Sequence, residues 1–113
     1  MAYRSNERRR QRRYIVAGVS ALVEGEACPI ADISATAVRL RRSNDLPVTE
    51  REYTLVFAFD EAGQQSMFTV SATLVRCTER CFVLRYDSPV PTWEALLRSA
   101  DTLEQTRLSQ IFD

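Results

Sequence analysis

Tyr53-Thr54-Leu55-Val56-Phe57-Ala58-Phe59 places Tyr53, Leu55, Phe57 and Phe59 at every second position. That is the period with which a strand shows one face, whereas a helix would scatter these four side chains around its axis. The segment is therefore expected to be a half-buried strand. Asp60-Glu61-Ala62-Gly63 supplies a turn after it, and Phe68-Thr69-Val70-Ser71-Ala72-Thr73-Leu74-Val75 resumes the alternation, with Phe68, Val70, Ala72 and Leu74 on one side. Cys81 to Tyr86 completes a hairpin across Thr78-Glu79-Arg80.

The same alphabet continues upstream. Tyr14 to Val23 reads as a long strand rich in β-branched and apolar residues, bent at Gly18 and followed by a turn at Glu24-Gly25-Glu26. Ile30 to Ile33 and Ala37 to Leu40 are two short strands around a tight bend at Ser34 and Thr36, and residues 43–51 form a loop by composition. Five or six short antiparallel strands with no helical pattern between them argue for a small barrel or sandwich. Ser88-Pro89-Val90-Pro91 ends this pattern. Thr92 is a suitable helix N-cap, and Trp93, Leu96, Leu97, Ala100, Leu103, Leu108 and Ile111 approximate one helical face, so a helix is expected over about 92–111, with a candidate interruption at Ser99 to Thr102. Its apolar face is expected to pack on the strands or close one end of them.

With 113 residues and 45% hydrophobic content the chain can build one core, not two. Residues 1–13 lack an apolar period and are expected to be a flexible arm, with the domain occupying 14–113. No run approaches the roughly 18 apolar residues needed to span a bilayer, and the Arg-rich start leads into a strand without a small-residue cleavage site. A cytoplasmic protein without membrane insertion is expected. Cys28, Cys77 and Cys81 are an odd set with no export signal, which argues against a disulfide framework. Cys77-x-x-x-Cys81 could serve as half a zinc site, but the chain has no His and no second Cys pair, so no metal is expected. Absence of His also removes the Ser-His-Asp and Cys-His arrangements, and the three glycines, Gly18, Gly25 and Gly63, form no phosphate-cradling loop. An enzyme is not expected; binding is.

The charge is segregated although it sums to zero. Residues 1–13 carry six Arg and one Glu, and Arg8-Arg9-Arg10-Gln11-Arg12-Arg13 sets five guanidinium groups directly before the first strand. Such a cluster resists burial and is either a solvated arm or a grip for an anion. All fifteen basic residues are Arg, each a planar fork able to clamp phosphate or stack on a base. Tethered at Tyr14, the arm must lie close to polar groups at the end of a neighbouring strand. Asp32 and Ser34 are the natural candidates. Asp-x-Ser can simply stabilise a turn through side-chain hydrogen bonds to backbone amides. It can equally offer Asp32 to a guanine N–H edge and Ser34 to a phosphate, and the two roles are compatible. Arm and bend together suggest a site for a guanine-containing phosphodiester.

These residues resemble the PilZ domain, a bacterial receptor module for cyclic di-GMP. The family pattern is Arg-Arg-x-x-x-Arg before the first strand and Asp/Asn-x-Ser-x-x-Gly at a bend between two strands. Arg8-Arg9-Arg10-Gln11-Arg12-Arg13 matches the first, and Asp32-Ile33-Ser34-Ala35-Thr36-Ala37 matches the second. The resemblance implies an all-β fold, a small six-stranded antiparallel β-barrel with a C-terminal α-helix. It also implies a non-enzymatic signalling receptor with cyclic di-GMP as ligand and no other cofactor. Arg9 and Arg13 would grip phosphate and guanine, Arg8 would add a contact of the kind that accompanies an intercalated ligand dimer, and Asp32 and Ser34 would complete the pocket. The arm would close over the ligand and alter a surface shown to an unidentified effector protein. One departure stands out: Ala37 occupies the family glycine. If that glycine uses positive φ, the alanine reshapes the bend; if it leaves room for a purine, the methyl group weakens binding. Alternatives are a PilZ-like protein-interaction module that has lost the ligand, and a nucleic-acid-binding basic arm. The acidic balance of residues 14–113 argues against nucleic acid.

Overall fold

A computed structural model describes residues 12–16, 18–42, 52–61 and 63–101, and makes the period-two segment the middle of a long antiparallel hairpin. Among these residues lie β1 (Val19–Val23), β2 (Glu26–Cys28), β3 (Ile30–Ile33), β4 (Ala37–Arg41), β5 (Glu52–Glu61), β6 (Gln64–Cys77) and β7 (Cys81–Tyr86). A helix, α1, covers residues 93–101. The strands pair in the order β2-β1-β5-β6-β7-β4-β3, antiparallel throughout, and curl into a nearly closed barrel.

Seven strands replace the six expected. The additional strand, β2, follows from a turn in which Glu24 has φ +50° and Gly25 φ +83°. Two successive residues of positive φ make a hairpin turn whose twist matches that of its strands, so the chain folds straight back onto β1 and Val23 pairs with Glu26. The long strand expected from Tyr14 is also shorter. Only Val19–Val23 joins β5, while Tyr14 makes an isolated bridge to Ile33 at the other end of the sheet order. The stretch between them thus runs from β3 to β1, which is where the barrel closes.

The core follows the alternation. Tyr53, Leu55, Phe57 and Phe59 of β5 point inward with Val38 and Leu40 of β4 and Phe82, Leu84 and Tyr86 of β7. On β6 only Ala72 is fully buried; Phe68, Val70 and Leu74 share its face but are partly covered. Helix α1 covers this side with Trp93, Leu97 and Ala100 buried and Leu96 half-buried, the spacing of one helical face. Trp93 packs its ring 5.1 Å from Phe57, 5.6 Å from Phe68 and 6.5 Å from Phe59. A fully buried aromatic is worth roughly 1.5–3 kcal/mol from area alone, so this single residue fastens the helix to the barrel. The Thr92 carbonyl accepts the Leu96 amide, as an N-cap position should. Residues 102–111 of the expected helix lie outside the described residues, as do the 43–51 loop and residues 1–11, which include Arg8 and Arg9.

Cys77 pairs with the inward-facing Phe82, whereas Cys81, one position before Phe82, pairs with Arg41 on the outer face. Cross-strand partners share a face and strand neighbours alternate, so the two thiols project to opposite sides of the hairpin. All three cysteines are free, and the half-site spacing does not converge. Among the described residues no helix is long and apolar enough to cross a membrane.

Candidate functional site

The bend between β3 and β4 is a two-residue turn at Ala35 and Thr36. The Ser34 amide donates to the Ala37 carbonyl at 2.8 Å, and the Ala37 amide donates to Ser34 Oγ at 3.1 Å. Ser34 Oγ also lies 3.3 Å from the Ala37 carbonyl, which accepts from it. Ser34 therefore locks the turn, the structural role open to an Asp-x-Ser sequence. The turn is held from behind as well. Tyr86 donates its amide to the Thr36 carbonyl and its hydroxyl to the Ser34 carbonyl, and Ser88 Oγ donates to the Ala35 carbonyl. Trp93 Nε1 in turn donates to the Tyr86 oxygen at 3.0 Å, which ties the turn to α1. Burial pushes the Tyr86 hydroxyl well above its ordinary value, and the Trp93 hydrogen bond only partly opposes that, so the group is a neutral donor.

Asp32 does something different. Its carboxylate lies between two guanidinium groups, with Arg13 Nη1 at 3.0 Å from Oδ1 and Arg39 Nη2 at 2.5 Å from Oδ2. The Asp32 side chain is 10% exposed, against 34% for Arg13 and 47% for Arg39. The structure thus brings Arg13 of the arm to Asp32 of the bend across nineteen positions of sequence. Two cations on one anion leave a local positive excess. Arg41 and Arg85 extend it along the outer face of β4 and β7, and neither has an ion-pair partner among the described residues.

The backbone places Arg13 through its neighbours. Tyr14 is 1% exposed and exchanges both backbone hydrogen bonds with Ile33 in an antiparallel bridge, so the residue before it lies opposite Ser34 and on the face that Ser34 shares with Asp32, within reach of the Asp32 carboxylate. Arg12 turns the other way, with its guanidinium 5.3 Å from the Tyr14 ring centre and 3.9 Å from Asp101 of α1. Burial raises the Tyr14 hydroxyl, with Glu94 adding to the shift, and its oxygen finds no hydrogen-bond partner among the described residues.

Ala37 stands in the bend without backbone strain. Glu24 is the one non-glycine residue with positive φ among the described residues, so Ala37 has an ordinary strand backbone, paired with Arg85. Its methyl group is half-buried on the face that Ala37 shares with Arg39.

The fold is shared with a motility inhibitor. The structure of the Bacillus subtilis inhibitor of motility, MotI/DgrA, superimposes with a TM-score of 0.68 over 88% of this chain, at 16% sequence identity. This chain spans 52% of the length of that one. A Legionella protein, Lpg0364, described as uncharacterized, gives a TM-score of 0.47 at 12% identity over 90% of this chain and 99% of its own. No family model matches the sequence, and no curated protein matches it. At 16% identity the likeness to MotI/DgrA is one of fold.

Of the expected site residues, Arg13, Asp32, Ser34 and Ala37 gather at one bend. Arg39 was missed. Its signal lay in the turn itself: with Ala35 and Thr36 as the two loop residues, Asp32 must face Arg39 across the hairpin. Tyr86 was missed as well, because a hydroxyl reaching from a distant strand leaves no local pattern.

Proposed function

We propose that the chain is a non-enzymatic receptor of PilZ type for cyclic di-GMP, whose Arg-rich arm closes over the ligand. The observation that carries this is the meeting of Arg13 and Asp32, one from each half of the sequence resemblance, beside a turn rigidly fixed by Ser34 and Tyr86. Guanine presents adjacent N–H donors to a carboxylate and O6 and N7 acceptors to a guanidinium, so a paired Asp and Arg complement it, and Arg41 and Arg85 complement its phosphates. The likeness to MotI/DgrA supports the barrel on which this reading depends. Arg8 and Arg9 are assigned to the ligand from the sequence, with Arg9 and Arg13 as the principal grip. Arm closure changes the surface near α1, because Arg12 contacts Asp101, and this is the surface an effector protein would read.

The test is a calorimetric titration of the chain with cyclic di-GMP at physiological salt, with GTP and cyclic di-AMP as controls. Selective micromolar or tighter binding is the expected result. Absence of heat and of any shift in melting temperature would favour the second reading, a PilZ-like interaction module without ligand. The Ala37 methyl group supports that second reading.

A further inference from the structure

We propose that Arg39 is a built-in competitor for the guanine-binding edge of Asp32: it occupies Oδ2 and must leave before a cyclic dinucleotide can bind. The proposal rests on the receptor reading and specifies how that site is regulated. A guanine edge presents two parallel N–H donors, which fit a carboxylate best when both oxygens are free on the same side. In this structure neither is. Each oxygen of Asp32 carries a guanidinium group, and the side chain retains 10% of its exposure. A purine cannot reach the carboxylate edge-on until one cover is removed.

The geometry identifies which cover moves. Arg13 sits next to Tyr14, whose ring is buried and whose backbone N–H and C=O are both bonded to Ile33, and it belongs to the arm assigned to the ligand. Arg39 belongs to β4, where its backbone is held between Asp32 of β3 and Val83 of β7. Its side chain is 47% exposed on the outer face, and its contact with Asp32 Oδ2 is the ion pair recorded for it among the described residues. It can rotate into solvent without disturbing the sheet. The exchange is close to balanced, because Arg13 still neutralises Asp32 and the guanine donors replace those of Arg39. Arg39 therefore tunes affinity without creating or abolishing the site.

The experiment is a titration of the full chain and its Arg39→Ala and Arg39→Gln variants with cyclic di-GMP at one salt concentration, with association rates and melting curves measured alongside. Removing a half-exposed competitor should tighten binding roughly fivefold and raise the association rate in Arg39→Ala. Arg39→Gln, which keeps a shorter neutral donor, should gain less. A merely structural ion pair would lower the melting temperature and leave affinity unchanged or weaker; that result in folded variants overturns the proposal. If Arg39→Ala does not melt cooperatively, Arg39→Gln decides by the same criterion. Wild-type binding without gain in the variants defeats the competitor and leaves the receptor standing. No binding by any of the three defeats both. Binding by the variants alone supports both.

Discussion

The Tyr86 hydroxyl donates to the Ser34 carbonyl at 2.5 Å, across 52 positions of sequence. It accepts from Trp93 Nε1 at 3.0 Å, so one oxygen joins the β3–β4 turn to α1. Tyr86→Phe keeps the ring against Phe57 but strands a buried donor and a buried acceptor. A loss of about 1–3 kcal/mol in unfolding free energy is expected, read by urea titration. The near-ultraviolet signal of Trp93 should broaden or shift in the folded variant.

Alkaline pH should unfold the protein earlier than its composition suggests. Burial raises both Tyr86 and Tyr14 in the folded state. An unfolded tyrosine loses its proton near pH ~10 while the folded one retains it, so the unfolded chain is favoured as pH climbs. Stability is therefore fully present below about pH 9 and falls progressively above about pH 10. Melting curves from pH 7 to 11, on the wild type and on Tyr86→Phe, check this: the variant should start lower and fall less steeply.

Arg13→Ala and Asp32→Asn should each weaken cyclic di-GMP binding by about ten- to a hundredfold, the worth of one charge-assisted hydrogen bond or more. Arg9→Ala should do the same. Wild-type affinity in the Arg9 and Arg13 variants would remove both residues from the site.

Ala37→Gly should separate affinity from stability. Its backbone is strand-like, so glycine brings no relief of strain and costs about 0.5–1 kcal/mol in conformational entropy. If the methyl group crowds a purine, the same change improves binding up to about tenfold. Denaturation and titration of one variant therefore move in opposite directions.

Tyr14→Phe removes a buried hydroxyl that has no hydrogen-bond partner among the described residues. Stability should stay level or rise by up to about 1 kcal/mol, since the lost group was desolvated without compensation. A loss above about 2 kcal/mol would show that the hydroxyl is bonded in solution.

The strands were readable because period two is a local property. Tyr53 to Phe59, Cys81 to Tyr86 and the Trp93, Leu96, Leu97, Ala100 face all bury the side chains their spacing selects. What escaped was set by long-range geometry or by turn conformation. The segment after Tyr14 has strand composition, yet it leaves the sheet to cross from β3 to β1. Strand β2 is only three residues long and exists because of the Glu24-Gly25 turn. In the site, the motif pair Arg13 and Asp32 was legible. Arg39 was not, because its part depends on register, and neither was the hydroxyl of Tyr86.

Tyr14 is stitched to Ile33 at the seam where the barrel closes, and Arg13 leaves the chain one residue earlier. On the proposed reading the gripping residue is joined directly to the seam, so ligand binding and closure of the barrel are coupled. By reciprocity, whatever tightens the hold of Arg13 on a ligand must also resist the opening of the barrel, and any change that loosens the seam must weaken that hold equally. Amide hydrogen exchange at Tyr14 and Ile33 would then report occupancy of the site from inside the wall of the protein.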